Sequence, residues 1–174
     1  MKKILKLALV LGLVAGLAAA GLSLTNSLTA PVINAREVAK DREGLETVMP
    51  GAEYSKMEVQ GDTEGSIDAI YDCGNGTYVY KMKVNGYGGV GSITFMIALD
   101  PEGKVVGYTV NQHGETKGYG SQVAEQKFID SVIGLTNPEE LDTISGATIS
   151  STAVKNGLIY GMKHYRLQAG LDYE

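Results

Sequence analysis

Apolar residues follow two regimes along the chain. From Leu7 to Leu24 no residue is charged, and Ile4 and Leu5 extend the run past Lys6. About twenty apolar residues in a helix span a hydrocarbon core of about 30 Å, so this segment predicts a retained membrane helix. The alternative is a cleaved signal peptide, with a basic start and small residues at Ala18, Ala19 and Ala20. A secretory apolar region runs only about 7–15 residues, and this one is longer. On either reading Lys2, Lys3 and Lys6 stay in the cytoplasm and the body lies outside it. Gly12, Gly16 and Ala20 recur at a spacing of four, a groove where a second helix can approach. Glycine is also common in membrane helices without any such partner.

Beyond Leu24 the pattern becomes that of a water-soluble domain. Residues 25–34, with Pro31, read as a short polar exit. Ala35–Val48 predicts a helix through Val38, Leu45 and Val48, ended by Met49-Pro-Gly51 and weakened by Gly44. Strands are expected at Glu53–Gln60, Ile67–Tyr71, Thr77–Val84, Ser92–Leu99 and Lys104–Asn111. Tyr78, Tyr80, Met82 and Val84 alternate onto one side, whereas Ser92–Leu99 is almost continuously apolar and should be buried on both faces. Asp100-Pro-Glu-Gly103 is a hairpin turn. Ser121–Val132 carries a helical stripe behind a Ser121 cap, and Ser150–Leu167 another through Val154, Leu158, Ile159, Met162 and Tyr165. The fold class is α+β: an antiparallel sheet with packed helices, preceded by one N-terminal transmembrane helix. The expected organisation is an anchor over 1–24, a linker and helix over 25–50, and one domain over 51–174.

Composition narrows the function. The 174 residues carry a net charge of −5; with +3 in the first 24 residues, the rest carries −8. There is no basic surplus to neutralise phosphates, which argues against nucleic acid. One cysteine, Cys73, makes no internal disulfide, and two histidines, His113 and His164, far apart, give no metal-ligand cluster. Cys73 sits in a turn, and His164 reads as a surface residue of the last helix.

Four motifs remain. Gly86-Tyr-Gly-Gly-Val-Gly91 matches the dinucleotide fingerprint G-x-G-x-x-G, but a strand follows it where a helix is required. It reads as a glycine-rich turn, or as a loop whose backbone lies close to a ligand. Asn75-Gly-Thr77 is a formal glycosylation sequon that its surroundings do not support. Asn111–Gly120 (NQHGETKGYG) sets His, Glu, Thr, Lys and Tyr among three glycines, the density of a binding loop. Asp142–Ser151 carries five hydroxyls in the nine residues from Thr143 to Ser151, directly before the last helix. Free N–H groups at a helix start favour an anion. A single helix cap explains one hydroxyl and not Ser-Gly-Ala-Thr followed by Ser-Ser.

Ser145-Gly-Ala-Thr148, with Asp142 before it and Ser151 behind, resembles the flavinylation motif of the FMN-binding domains. These are related to the G subunit of the Rnf complex and the C subunit of the sodium-pumping NADH:quinone reductase. His113-Gly-Glu-Thr-Lys-Gly-Tyr-Gly120 resembles the second family motif, with Lys117 where proline is usual and Tyr119 where leucine is usual. Tyr87-Gly88-Gly89 and the single anchor helix are similar too, and the length is closer to the Rnf subunit. The resemblance implies an electron carrier with FMN moved from FAD by a flavin transferase onto Thr148 as a phosphoester. Ser145, Gly146, Ala147 and Ser151 would shape that site, and Asp142 would serve the transferase. Glu115, Thr116, Gly118 and Tyr119 would meet the ribityl chain or the isoalloxazine, Tyr119 by stacking. The implied partners are the other Rnf subunits in the cell (inner) membrane, with the soluble domain on the extracytoplasmic side. A quinone-reductase subunit, a stand-alone extracytoplasmic flavoprotein and an anchored binding module without cofactor are the alternatives.

Overall fold

The segment expected as a polar exit is helical. In the computed structural model, which describes residues 2–171, α1 runs without a break over Lys2–Val48, with Pro31 inside it. Met1 and residues 172–174, the outer ends of the expected anchor and domain, lie outside the described residues. The polar side chains that suggested an exit bond back to their own helix: Thr25 Oγ1 to Gly21 O at 2.9 Å, Ser27 Oγ to Leu24 O at 2.8 Å and Thr29 Oγ1 to Thr25 O at 2.9 Å. A hydroxyl satisfied in this way no longer competes for the backbone. By length and composition α1 is able to cross a membrane.

The chain divides into two compact units between Lys40 and Asp41. The first unit is α1 alone. The second begins with the last turns of α1 and continues into a sheet of β1 (Ser55–Met57), β2 (Ile67–Asp72), β3 (Tyr78–Gly86), β4 (Gly89–Leu99) and β5 (Val105–His113). These strands pair in chain order, each antiparallel to the next. The first strand is shorter than expected; the other four lie where the alternation placed them, and the α+β class holds.

Period two sends neighbouring residues to opposite faces, and here both faces are covered. Tyr80, Met82, Phe95, Ile97 and Tyr108 meet Phe128 and Val132 of α2 (Gln126–Val132) and Val154, Leu158 and Met162 of α3 (Thr148–Ala169). On the reverse face Val79, Met96 and Ala98 meet Leu45 and Val48 from the end of α1. That is why β4 reads as continuously apolar: Phe95 to Leu99 are all fully buried. An ion-pair cluster pins the same helix end. Lys81 Nζ lies 2.9 Å from Asp41 and 2.7 Å from Asp68, and the Tyr71 hydroxyl donates to Asp41 at 2.9 Å. Burial alone lowers the Lys81 pKa, but its two carboxylate partners outweigh it and raise it.

Glycine permits the close approaches. Gly44 does not interrupt α1; it leaves room for the Asn111 side chain, which a Cβ would overlap. Gly107 in β5 lies under the end of α1, where a Cβ would stand 2.5 Å from Val48 O.

The expected Ser121–Val132 helix is two pieces. A 3-10 turn covers Gly120–Ala124 and α2 follows after Glu125 in extended backbone (φ −83°, ψ 149°). Val123 and Phe128 are both buried but five residues apart, which one regular stripe does not serve; the break takes up the offset. Ser121 caps nothing in α2, and its Oγ accepts from Gly118 N at 2.8 Å. His164 is no surface residue either. It is 6% exposed, with Nε2 2.7 Å from Gln60 O and Nδ1 3.2 Å from the Tyr80 hydroxyl. The apolar stripe of the last helix left His164 outside it, and local sequence did not show that Tyr80 lay opposite.

Replacing Gly107 with alanine forces the end of α1 off the sheet. Gly107→Ala should cost about 1–3 kcal/mol and lower the thermal midpoint followed by tyrosine near-UV dichroism. Gly114→Ala, whose Cβ meets nothing nearer than 3.9 Å, should leave the midpoint unchanged.

Candidate functional site

Three connections converge at one end of the sheet: the β3–β4 turn, the segment after β5 and the approach to α3. Between them lies a cavity of about 480 Å³ lined by Tyr87, Glu115, Thr116, Tyr119, Gly120, Gly146, Ala147, Thr148, Ile149 and Ser150, within the range of small-molecule sites. Of the residues singled out in the sequence, Thr148, Gly146, Ala147, Glu115, Thr116 and Tyr119 line it. Asp142, Ser145, Ser151 and Gly118 do not.

A tight turn delivers Thr148. Ala147 N donates to Ile144 O at 2.9 Å, with Gly146 at φ +84°, a backbone that glycine adopts without cost. The chain then enters α3, whose capping position is Ala147 with no side-chain cap. The capping alternative for the hydroxyl cluster therefore fails, and its members divide. Ser151 Oγ donates to Ala147 O and accepts from Ile144 N, both at 2.9 Å, tying the turn to the helix. Ser150 Oγ donates to the Glu115 carboxylate. Thr148 is exposed, and among the described residues nothing hydrogen-bonds its hydroxyl. The first intrahelical backbone bond runs from Ser151 N to Ala147 O, so the N–H groups of Thr148, Ile149 and Ser150 have no partner within the helix. Asp142 is exposed, on the approach to the turn.

Glu115 holds the three connections together. Its side chain is buried, at 8% exposure. Oε1 accepts from Gly88 N at 3.0 Å and Ser92 Oγ at 2.7 Å; Oε2 accepts from Tyr87 N at 3.1 Å and from Ser150 Oγ. Burial pushes this carboxyl up, but Ser150, Ser92, Gly88 and Tyr87 together outweigh burial and hold it below its usual range. The space around it is glycine-lined. A Cβ on Gly86 would overlap the carboxylate, and one on Gly120 would lie 2.6 Å from Oε2 and 2.5 Å from Ser150 Oγ. The glycine-rich turn thus does bring its backbone N–H groups to an anion, and the anion is Glu115. Ser92 and Ser150 were not legible as its partners, because they lie 23 and 35 residues away in sequence.

The loop after Glu115 keeps its shape without proline. Tyr119 N donates to Thr116 O at 3.1 Å and Gly118 has φ +78°, the pattern of a type II turn with glycine third and proline favoured second. Lys117 fills that second position. Cys73 lies outside this site, half-buried; burial, then neighbouring Asp72, pushes its thiol up, away from nucleophilic character.

Sheet, cavity and motif order define the class of protein: residues 86–163 match the FMN-binding domain. Residues 1–48 match the RnfG N-terminal region. The G subunit of the ion-translocating oxidoreductase complex of Haemophilus influenzae is 30% identical over 156 residues, covering 74% of each chain. Its namesake from Methanosarcina acetivorans is 26% identical over 184 residues, covering 97% of this chain and 98% of its own. The G subunit of the proton-translocating ferredoxin:NAD(+) oxidoreductase complex of Clostridium ljungdahlii is 24% identical over 143 residues, covering 75% of each. The chain belongs to the family of G subunits of the ion-translocating Rnf oxidoreductase complexes, as the two motifs implied.

Each Glu115 oxygen faces one backbone N–H, so a glutamine cannot satisfy both. Glu115→Gln should cost on the order of 3 kcal/mol at neutral pH. Because the folded carboxyl titrates below its unfolded value of about 4.3, this stabilisation is complete above that value and is lost as pH falls through the lower folded value. Unfolding midpoints against pH should therefore converge for wild type and variant only in acid. Lys117→Pro should stabilise by about 0.4–1 kcal/mol, since the Lys117 N–H makes no hydrogen bond among the described residues; a lower midpoint would contradict the turn assignment.

Proposed function

We propose that this chain is the flavin-bearing, electron-carrying subunit of a membrane-bound ion-translocating ferredoxin:NAD⁺ oxidoreductase complex, with FMN joined by a phosphoester to Thr148. The observation that carries this reading is the exposed, unengaged Thr148 hydroxyl, in the first turn of α3 and on the wall of a cavity inside the segment that matches the FMN-binding domain. The residues fit the group. The N–H groups of the first turn, which have no backbone partner among the described residues, suit a phosphate, Thr116 offers a hydroxyl to a polyol chain, and Tyr119 offers a ring face. FMN supplies the electron-accepting and electron-donating centre.

The chain's own residues attach and orient. In maturation the bond from Thr148 Oγ to phosphorus replaces the pyrophosphate linkage of FAD, AMP leaves and the hydroxyl proton is released. Gly146 and Ser145 turn the chain so that Thr148 faces the cavity, and Ala147 and Ser151 hold that turn on the helix. Asp142, exposed and off the cavity, is free to meet the flavin transferase. Gly118 shapes the loop that carries Tyr119. Glu115, with both oxygens already saturated, keeps the walls together and makes no direct bond to the flavin.

Residues 1–24 anchor the protein as a single membrane pass, 25–50 link and pack, and 51–174 carry the flavin on the extracytoplasmic side, because Lys2, Lys3 and Lys6 favour the cytoplasm. A covalent tether suits that side, where free FMN is scarce. The partners are the other subunits of the complex. Two similar relatives carry names for proton and for sodium translocation, at 24% and 26% identity.

Co-expression with a matching flavin transferase, denaturation, and intact and peptide mass spectrometry test the attachment. FMN should remain on the peptide containing Thr148 and be absent from Thr148→Val. An unmodified wild-type chain, with the transferase active on another acceptor, would contradict it.

A further inference from the structure

The cavity carries three large exposed side chains of apolar character: Tyr87 at 71%, Tyr119 at 62% and Ile149 at 57% exposure. Two of them are aromatic, and they come from different connections. The backbone beneath each is fixed. Tyr87 N and Gly88 N are both held by Glu115, and Gly88 is packed so closely that a Cβ would lie 2.5 Å from Gly114 O. Tyr119 N is held by Thr116 O, and Tyr119 O accepts from Gln122 N at 3.0 Å. A rigid backbone presenting a bare tyrosine ring loses little conformational entropy when a flat ligand covers it.

FMN has three chemically distinct parts: an anionic phosphate, a polyol and a flat, largely apolar tricycle. The lining divides in the same way. Thr148 and the first-turn N–H groups suit the phosphate, Thr116 suits the polyol, and Tyr87, Tyr119 and Ile149 are left for the ring. We propose that Tyr87, and not Tyr119 alone, is a positioning residue for the isoalloxazine, so that tyrosines from two connections stack on and shield the ring. This rests on the reading that FMN is carried on Thr148. Aromatic rings stack in offset or edge arrangements, and a phenol stacked on a flavin quenches its emission.

The test uses the full-length chain in detergent, flavinylated by its transferase, with loading first counted by mass spectrometry. Flavin emission yield and its quenching by iodide are then compared for wild type, Tyr87→Ala, Tyr87→Phe and Tyr119→Ala at equal loading. Tyr87→Ala should brighten emission by up to about two-fold, because the Tyr119 phenol still quenches, and expose the ring to iodide, and Tyr119→Ala should do the same with the roles reversed. Tyr87→Phe should brighten emission while keeping the ring shielded, because it stacks without a phenol. Loaded Tyr87→Ala with wild-type emission and wild-type iodide quenching overturns the assignment of Tyr87 and leaves the attachment reading standing. A wild-type chain that takes up no flavin from an active transferase overturns both.

Discussion

One buried carboxylate organises the functional end of this domain. Glu115 receives two backbone N–H groups and two hydroxyls, and those donors belong to the β3–β4 turn, to the start of β4 and to α3. An ionised group this buried survives only when its lone pairs are filled, and here four donors fill them. The cost of leaving any one unfilled is what makes the three connections behave as one unit. Gly86, Gly88 and Gly120 follow from the same constraint, because a side chain at any of them would occupy space that the carboxylate or the loop backbone already takes. The lack of side chains in this glycine-rich stretch thus serves an internal anion and not a dinucleotide.

The sheet carries that arrangement and transmits none of its own chemistry. β4 is buried on both faces from Phe95 to Leu99, with β3 and β5 paired on either side of it, so the strand ends are held where the connections leave them. α3 packs one face against the sheet, burying Val154, Leu158 and Met162, with its first turn and the exposed Thr148 at the cavity. The end of α1 covers the reverse face through Leu45, Val48 and the Asp41–Lys81–Asp68 cluster. Gly44 and Gly107 allow that contact to be close. Hydrophobic burial thus supplies the frame, and one saturated charge assembles the site on it.

Much of this was legible from the chain alone. Period-two alternation placed β2 to β5, the continuous run at Ser92–Leu99 announced a doubly covered strand, and the helical stripe located α3. The Ser-Gly-Ala-Thr turn and the Glu-Thr loop marked the two stretches that meet at the cavity. What failed did so for local reasons. Thr25, Ser27 and Thr29 look like a linker unless their hydroxyls are known to bond to their own helix. Ser121 looks like a cap unless the offset between Val123 and Phe128 is weighed, and His164 looks exposed unless Tyr80 is seen opposite.

Periodicity and motifs a few residues long were enough to place β2 to β5, α3, the membrane-compatible helix and the family. The partner of each polar side chain follows from the folded chain alone. That other parts of the chain fill the Glu115 oxygens, which unengaged hydroxyl of the five lies on the cavity wall, and that Tyr87 shares a cavity with Thr148 all depend on contacts across 23 to 35 residues or more. Such contacts leave no period in the sequence, since a hydrogen bond needs only that two atoms meet in space.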